Sequence, residues 1–128
     1  MVVKENRFEG VLYDRYLMYS STNLIDWKFI DEVRNAFPKN PKDNYEGPCL
    51  SQINGLYYLY TDHYLYNSST DSNEYDGKIR YAVSDDLENW QYMGTVNTQG
   101  FLSRHGSVTA VNDEVSEIKL KELFNSQM

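Results

Sequence analysis

Short runs of alternating apolar and polar residues dominate the chain. Tyr16-Leu17-Met18-Tyr19, Trp27-Lys28-Phe29-Ile30, Leu56-Tyr57-Tyr58-Leu59-Tyr60-Thr61, Ile79-Arg80-Tyr81-Ala82-Val83 and Trp90-Gln91-Tyr92-Met93 are rich in aromatic and branched side chains and bounded by Ser, Asn, Asp or Gly. That pattern predicts strands. Phe8 to Tyr13 predicts another, with Asp14 at the turn before Tyr16. Pro48–Ile53 and Leu56–Thr61 flank Asn54-Gly55, the strongest short-range hairpin signal. The stretch from Asn67 to Gly77 reads as a polar loop whose apolar residue is Tyr75, and Phe101 to Val111 reads as strand-like. Asn112 or Asp113 then caps a short helix reaching Phe124, with Val115, Ile118, Leu123 and Phe124 as its apolar face; alternation of Ile118 and Leu120 leaves a strand as the other reading.

Two segments of this pattern are copies of one another. Ser21-Thr22-Asn23-Leu24-Ile25-Asp26-Trp27-Lys28-Phe29-Ile30 and Ser84-Asp85-Asp86-Leu87-Glu88-Asn89-Trp90-Gln91-Tyr92-Met93 share the form Ser-x-polar-Leu-x-polar-Trp-polar-aromatic-aliphatic, 63 residues apart. Each lies between two predicted strands. Its Ser, Asn and Asp side chains bond to nearby backbone and so favour a turn, which the Leu and Trp would pin to the sheet. A fixed period points to stacked units, and three or four strands per period is the anatomy of a propeller blade. The 128 residues hold about two periods. The expected fold is therefore all-β, an open arc of about two propeller-like antiparallel blades with a short C-terminal helix. Residues 1–44 would end one blade, 45–97 form a second, and 98–128 begin a third and carry the helix.

Charge narrows the partners. Twelve Lys and Arg against 19 Asp and Glu leave a net charge of -7. That balance argues against nucleic acid, whose phosphates need a basic surface, and against anionic membranes. No apolar run approaches a membrane span, and Met1–Arg7 lacks the apolar core of a signal peptide. The single cysteine, Cys49, excludes an internal disulfide and a multi-Cys zinc site; it reads as a strand residue. Twelve tyrosines fit two readings: half-buried strand faces, or a surface on which sugar rings stack.

The best candidate for chemistry is Tyr45-Glu46-Gly47-Pro48. Glu46 sits where a Pro-bearing loop, Phe37 to Asn44, dives into a sheet. Gly47 permits close approach of backbone or ligand, and Pro48 restricts the site to a strand start or edge. A carboxylate there is held and partly desolvated, as a general acid requires. On these residues alone, an exposed Glu beside a turn is the other reading. Asp62-His63 reads as a structural pair. Asp71, Asn73, Glu74 and Asp76 read as a solvated acidic loop, because the calcium-loop pattern is missing.

Glu46-Gly47-Pro48, an apolar strand, Asn54-Gly55 and Tyr57-Tyr58-Leu59, in that order, resemble the acid-bearing blade of family 43 glycoside hydrolases, five-bladed β-propellers acting on arabinan, xylan and related plant polysaccharides. The repeated Ser-x-x-Leu-x-x-Trp turn is similar to one those enzymes repeat from blade to blade. Arg104-His105-Gly106-Ser107-Val108 resembles the His-Gly strand that opens the blade after the acid, 59 residues on from Glu46. The resemblance covers residues 8 to 111, with a looser one to the β-fructosidase propellers. It implies a glycosidase in which Glu46 is the general acid and His105, Arg104 and Tyr45 contact carbohydrate. It implies no cofactor beyond a hydrated metal ion near His105. Family members also place a general-base Asp and a third carboxylate on blades before the acid. This chain has no good match for either, and Asp14 is a poor stand-in. Little hydrolysis is therefore expected, and a non-catalytic carbohydrate-binding module stands beside the enzyme reading. The uncovered sheets of an open arc imply association with a second copy or a complementing chain.

Overall fold

The computed structural model describes residues 1–8, 11–40, 42–98, 100, 102–108 and 114–127. Three strands, β1 (Val2–Phe8), β2 (Val11–Ser20) and β3 (Lys28–Val33), form one antiparallel sheet in chain order. Four more, β4 (Asp43–Ile53), β5 (Leu56–Asn67), β6 (Ser72–Ser84) and β7 (Gln91–Thr95), form a second. A helix, α1 (Glu114–Gln127), closes the chain. The fold is all-β: two open, propeller-like antiparallel sheets and one short C-terminal helix.

The 63-residue repeat is a repeat of structure. The first copy joins β2 to β3 and the second joins β6 to β7. In each, the Ser hydroxyl accepts two backbone N–H groups: Asn23 and Leu24 at Ser21, and Asp86 and Leu87 at Ser84. The next polar side chain accepts two more, from Ile25 and Asp26 at Asn23 Oδ1, and from Glu88 and Asn89 at Asp86 Oδ1. The donors around Asp86, led by the Asn89 backbone N–H, hold its carboxyl far below the ordinary carboxylate range. The Leu takes a left-handed backbone, φ 60° at Leu24 and 67° at Leu87. The Trp indole N–H then donates back to the Leu carbonyl, at 3.3 Å from Trp27 and 3.1 Å from Trp90. By this equivalence β1, β2 and β3 correspond to β5, β6 and β7, and β4 has no counterpart in the first sheet.

Apolar faces of the two sheets meet in one core. Val2, Tyr16, Met18 and Val33 from the first sheet pack with Tyr45, Leu59 and Ala82 from the second, and Ala36 and Phe37 fill the gap between them. Leu59 and Ala82 are fully buried. On the turn and edge strand of the first sheet, Leu24, Ile25, Phe29 and Ile30 are instead exposed.

Three local expectations are corrected. Residues 72–77 belong to β6, and the loop shrinks to a tight turn after Asn67. Polar residues continue this hairpin because cross-strand bonds hold it: Asn67 Nδ2 donates to Glu74, and Tyr64 packs on Tyr75 at 5.1 Å. Asp14 lies within β2, not at a turn. Residues 102–108 make no ladder: His105 adopts φ 52°, which breaks an extended run. The Asn54-Gly55 hairpin forms as expected, with Ile53 opposite Leu56 and φ positive at both turn residues. The expected helix caps, Asn112 and Asp113, lie outside the described residues.

Candidate functional site

The start of β4 is pinned from the core side. Phe37 stacks on Tyr45 with ring centres 4.7 Å apart, and the Tyr16 hydroxyl donates to the Tyr45 carbonyl at 2.6 Å. Burial pushes the Tyr45 phenol up to about 12. Tyr45 is therefore a core residue, turned away from the site for which the sequence proposed it as a sugar contact. Alternation along a strand sends the next side chain to the opposite face. There Glu46 Oε1 accepts a hydrogen bond from the Tyr64 hydroxyl at 3.0 Å and lies 3.9 Å from Lys4 Nζ on β1. The Glu46 side chain is 26% exposed, so it is held but reachable.

A bulge follows immediately. Glu46 pairs with Asp62 and Cys49 with Tyr60, so Gly47 and Pro48 together oppose Thr61. Gly47 has φ 57°, the left-handed glycine of a G1 bulge. The bare Gly47 backbone admits the His105 imidazole. A Cβ there would overlap His105 Nδ1 and stand 3.3 Å from Asp62 Oδ1.

Residues 102–108 cross the second sheet as an irregular strap. Ser103 N donates to the Gly77 carbonyl at 2.8 Å, and Ser51 Oγ donates to the Val108 carbonyl at 3.4 Å. The Arg104 guanidinium stacks on Tyr75, 3.6 Å from the ring centre. Arg104 Nε and His105 Nε2 lie 3.6 Å and 3.7 Å from Asp62 Oδ2. Their side chains are 46% and 55% exposed, whereas that of Asp62 is 1% exposed. His105 lines a cavity of about 230 Å³ with Gly47, Cys49, Tyr60, Asp62 and Ser107. Glu46 is one residue from this cavity and faces Tyr64 and Lys4 instead. The structure thus brings Glu46, Arg104 and His105 to one end of the second sheet and leaves Tyr45 out.

Asp62 was hidden in the sequence by its neighbour. Successive residues of β5 point oppositely, so Asp62 and His63 are not a pair. His63 Nε2 lies 3.2 Å from Asp43 and Nδ1 lies 3.1 Å from Asp76, which also binds Arg80. The Asn40 side-chain amide, followed by His63, holds the Asp43 carboxyl below its ordinary range despite burial. Burial pushes Asp76 up, but Arg80, the Lys78 backbone N–H and His63 outweigh it and hold that carboxyl low. This network ties β4, β5 and β6 together just behind the Glu46 strand start.

Among the described residues, no group of three or more His, Cys, Asp or Glu converges to hold a metal ion. The donors near His105 do not fit one, because Arg104 already faces the same Asp62 carboxylate. Inverting glycoside hydrolysis places its two carboxyl groups about 6.5–9.5 Å apart, with a water between acid and base. Asp62 stands across the ladder from Glu46, but it is buried beneath the strap and cannot serve as that base. No described helix is long and apolar enough to cross a membrane. No family model, curated protein or solved structure matches the chain.

Proposed function

We propose that this chain is a carbohydrate-binding arc of the glycoside hydrolase family 43 type, directed at plant polysaccharides of the arabinan and xylan class. One observation supports this reading above the others. The half-buried Glu46, anchored by Tyr64 and Lys4, lies one residue from the Gly47 backbone on which His105 rests. In its protonated form a carboxyl group so placed can donate a proton to a glycosidic oxygen, and as the carboxylate it accepts from sugar hydroxyls, while Arg104 and His105 offer donors to them. With no base placed to activate water among the described residues, the expected behaviour is binding with little turnover.

Affinity-gel electrophoresis on arabinan and xylan, run beside aryl-arabinofuranoside and aryl-xyloside assays, tests the reading. Wild type and Glu46→Gln should both be retarded, with turnover at the detection limit. Robust turnover lost in Glu46→Gln would overturn the expectation of inactivity and reveal a base. No retardation on either polysaccharide would sink the carbohydrate reading.

A second reading is favoured by the exposed Leu24, Ile25, Phe29 and Ile30: the module associates through its edge, with a second copy or a complementing chain. Light scattering on the purified chain tests it, and a clean monomer at high concentration counts against self-association.

A further inference from the structure

Asp62 is a buried acidic side chain with no hydrogen-bonding partner on its own sheet among the described residues. Neither carboxylate oxygen has a hydrogen-bond partner among the described residues, although the side chain is 1% exposed. A buried charge left in that state is costly, so it persists only where something opposes it. Its neighbour His63 does not, being engaged by Asp43 and Asp76 on the other face. What faces Asp62 is the Arg104–His105 pair at 3.6 and 3.7 Å, beyond hydrogen-bond reach but close enough to attract.

The same strap touches the sheet through two glycines. Leu102 lies over Gly77, where a Cβ would stand 2.6 Å from Leu102 Cδ2, and His105 lies over Gly47. Beside the Ser103–Gly77 backbone bond, the Ser51–Val108 bond and the Arg104–Tyr75 stack, the strap is held by shape at the glycines and by attraction at Asp62.

We propose that Asp62 is a positioning residue: its buried carboxylate draws Arg104 and His105 down onto the Gly47 bulge and so fixes both side chains beside Glu46. Asp62 does not itself touch the ligand. The sugar-facing role of Arg104 and His105 rests on the carbohydrate reading above, but the docking of the strap does not.

The experiment uses the full chain and Asp62→Asn, which keeps the shape and removes the charge. The protein has two histidines, so both imidazoles are readily resolved by NMR. Wild type should show a nuclear Overhauser contact between His105 Hε1 and the Gly47 α-protons. Asp62→Asn should lose it, while contacts of His63 with the Tyr45 ring and the Trp90 indole resonance stay in place. Retardation on arabinan or xylan should fall about tenfold, the effect of one charge-assisted contact. If the His105–Gly47 contact survives in Asp62→Asn, the proposal is overturned. If the contact is lost but retardation equals wild type, docking stands and the positioning role falls. If wild type is not retarded either, the carbohydrate reading fails while the NMR contact still decides the docking. Should Asp62→Asn not fold, Arg104→Gln alters an exposed side chain and leaves Asp62 intact. It should weaken the same contact, and an unchanged contact there counts against the proposal.

Discussion

Replacing Gly47 by alanine tests the bulge on which the site is built. Two costs arise at once. An L-residue forced to φ 57° pays about 1–2 kcal/mol of backbone strain. The added methyl also overlaps the His105 imidazole and crowds the buried Asp62. His105 can swing away because it is half exposed, but the strap then loses its two contacts to Asp62, together worth about 1 kcal/mol at these partly exposed positions. The expected total is about 2–3 kcal/mol. Gly55→Ala supplies the control. Its φ is also positive, at 82°, but a Cβ there meets nothing within 4 Å, so it should pay only the backbone share. Urea unfolding followed by tryptophan fluorescence measures both, and a cycle with His105→Ala isolates the clash. Gly47→Ala should lose less stability when His105 is already alanine, with a coupling of at least about 0.5 kcal/mol. Equal costs for the two glycines, or strict additivity with His105→Ala, would refute the close packing of strap on bulge.

Two further predictions concern the frame. Tyr45 prefers its neutral form when folded, because burial raises its phenol from 10 to about 12. The corresponding stability is complete below pH 10 and disappears as pH climbs toward 12. It amounts to about 2–3 kcal/mol, and Tyr45→Phe should lack this part of the alkaline loss in denaturation titrations; matching alkaline limbs would refute the assignment. In the paired turns, Ser84 is buried whereas Ser21 is partly exposed. Ser84→Ala should therefore cost about 1–3 kcal/mol in chemical denaturation, and Ser21→Ala no more than about 1, since water can replace its hydroxyl. The reverse order would show that the turns are not equivalent in structure.

What the sequence revealed was what is settled within a few residues. Asn54-Gly55 announces its hairpin because both residues accept positive φ, and the two Ser-x-x-Leu-x-x-Trp turns announce themselves because their bonds are local. What it concealed depends on distant partners. Asp62-His63 looks like a pair in a string of letters, yet strand alternation separates the two, and the partners of His63 lie 20 and 13 residues away at Asp43 and Asp76. Tyr45 beside Glu46 invited a shared role until the same alternation turned it into the core. Ser72 to Gly77 read as loop because Tyr75 is the one apolar side chain marking a strand that runs out on polar cross-strand bonds. The strap escaped notice because its course is decided by glycines and a carboxylate on other strands.

Every hydrogen-bonded neighbour in both sheets is also the next strand along the chain. Each ladder therefore zips from a nearby turn, and forming it asks little of loop-closure entropy. Pairing of sequence neighbours favours rapid acquisition of structure over pairing of distant strands. Each sheet can nucleate on its own before the shared interior condenses, so damage confined to one tryptophan turn should slow the assembly of its own sheet and spare the other.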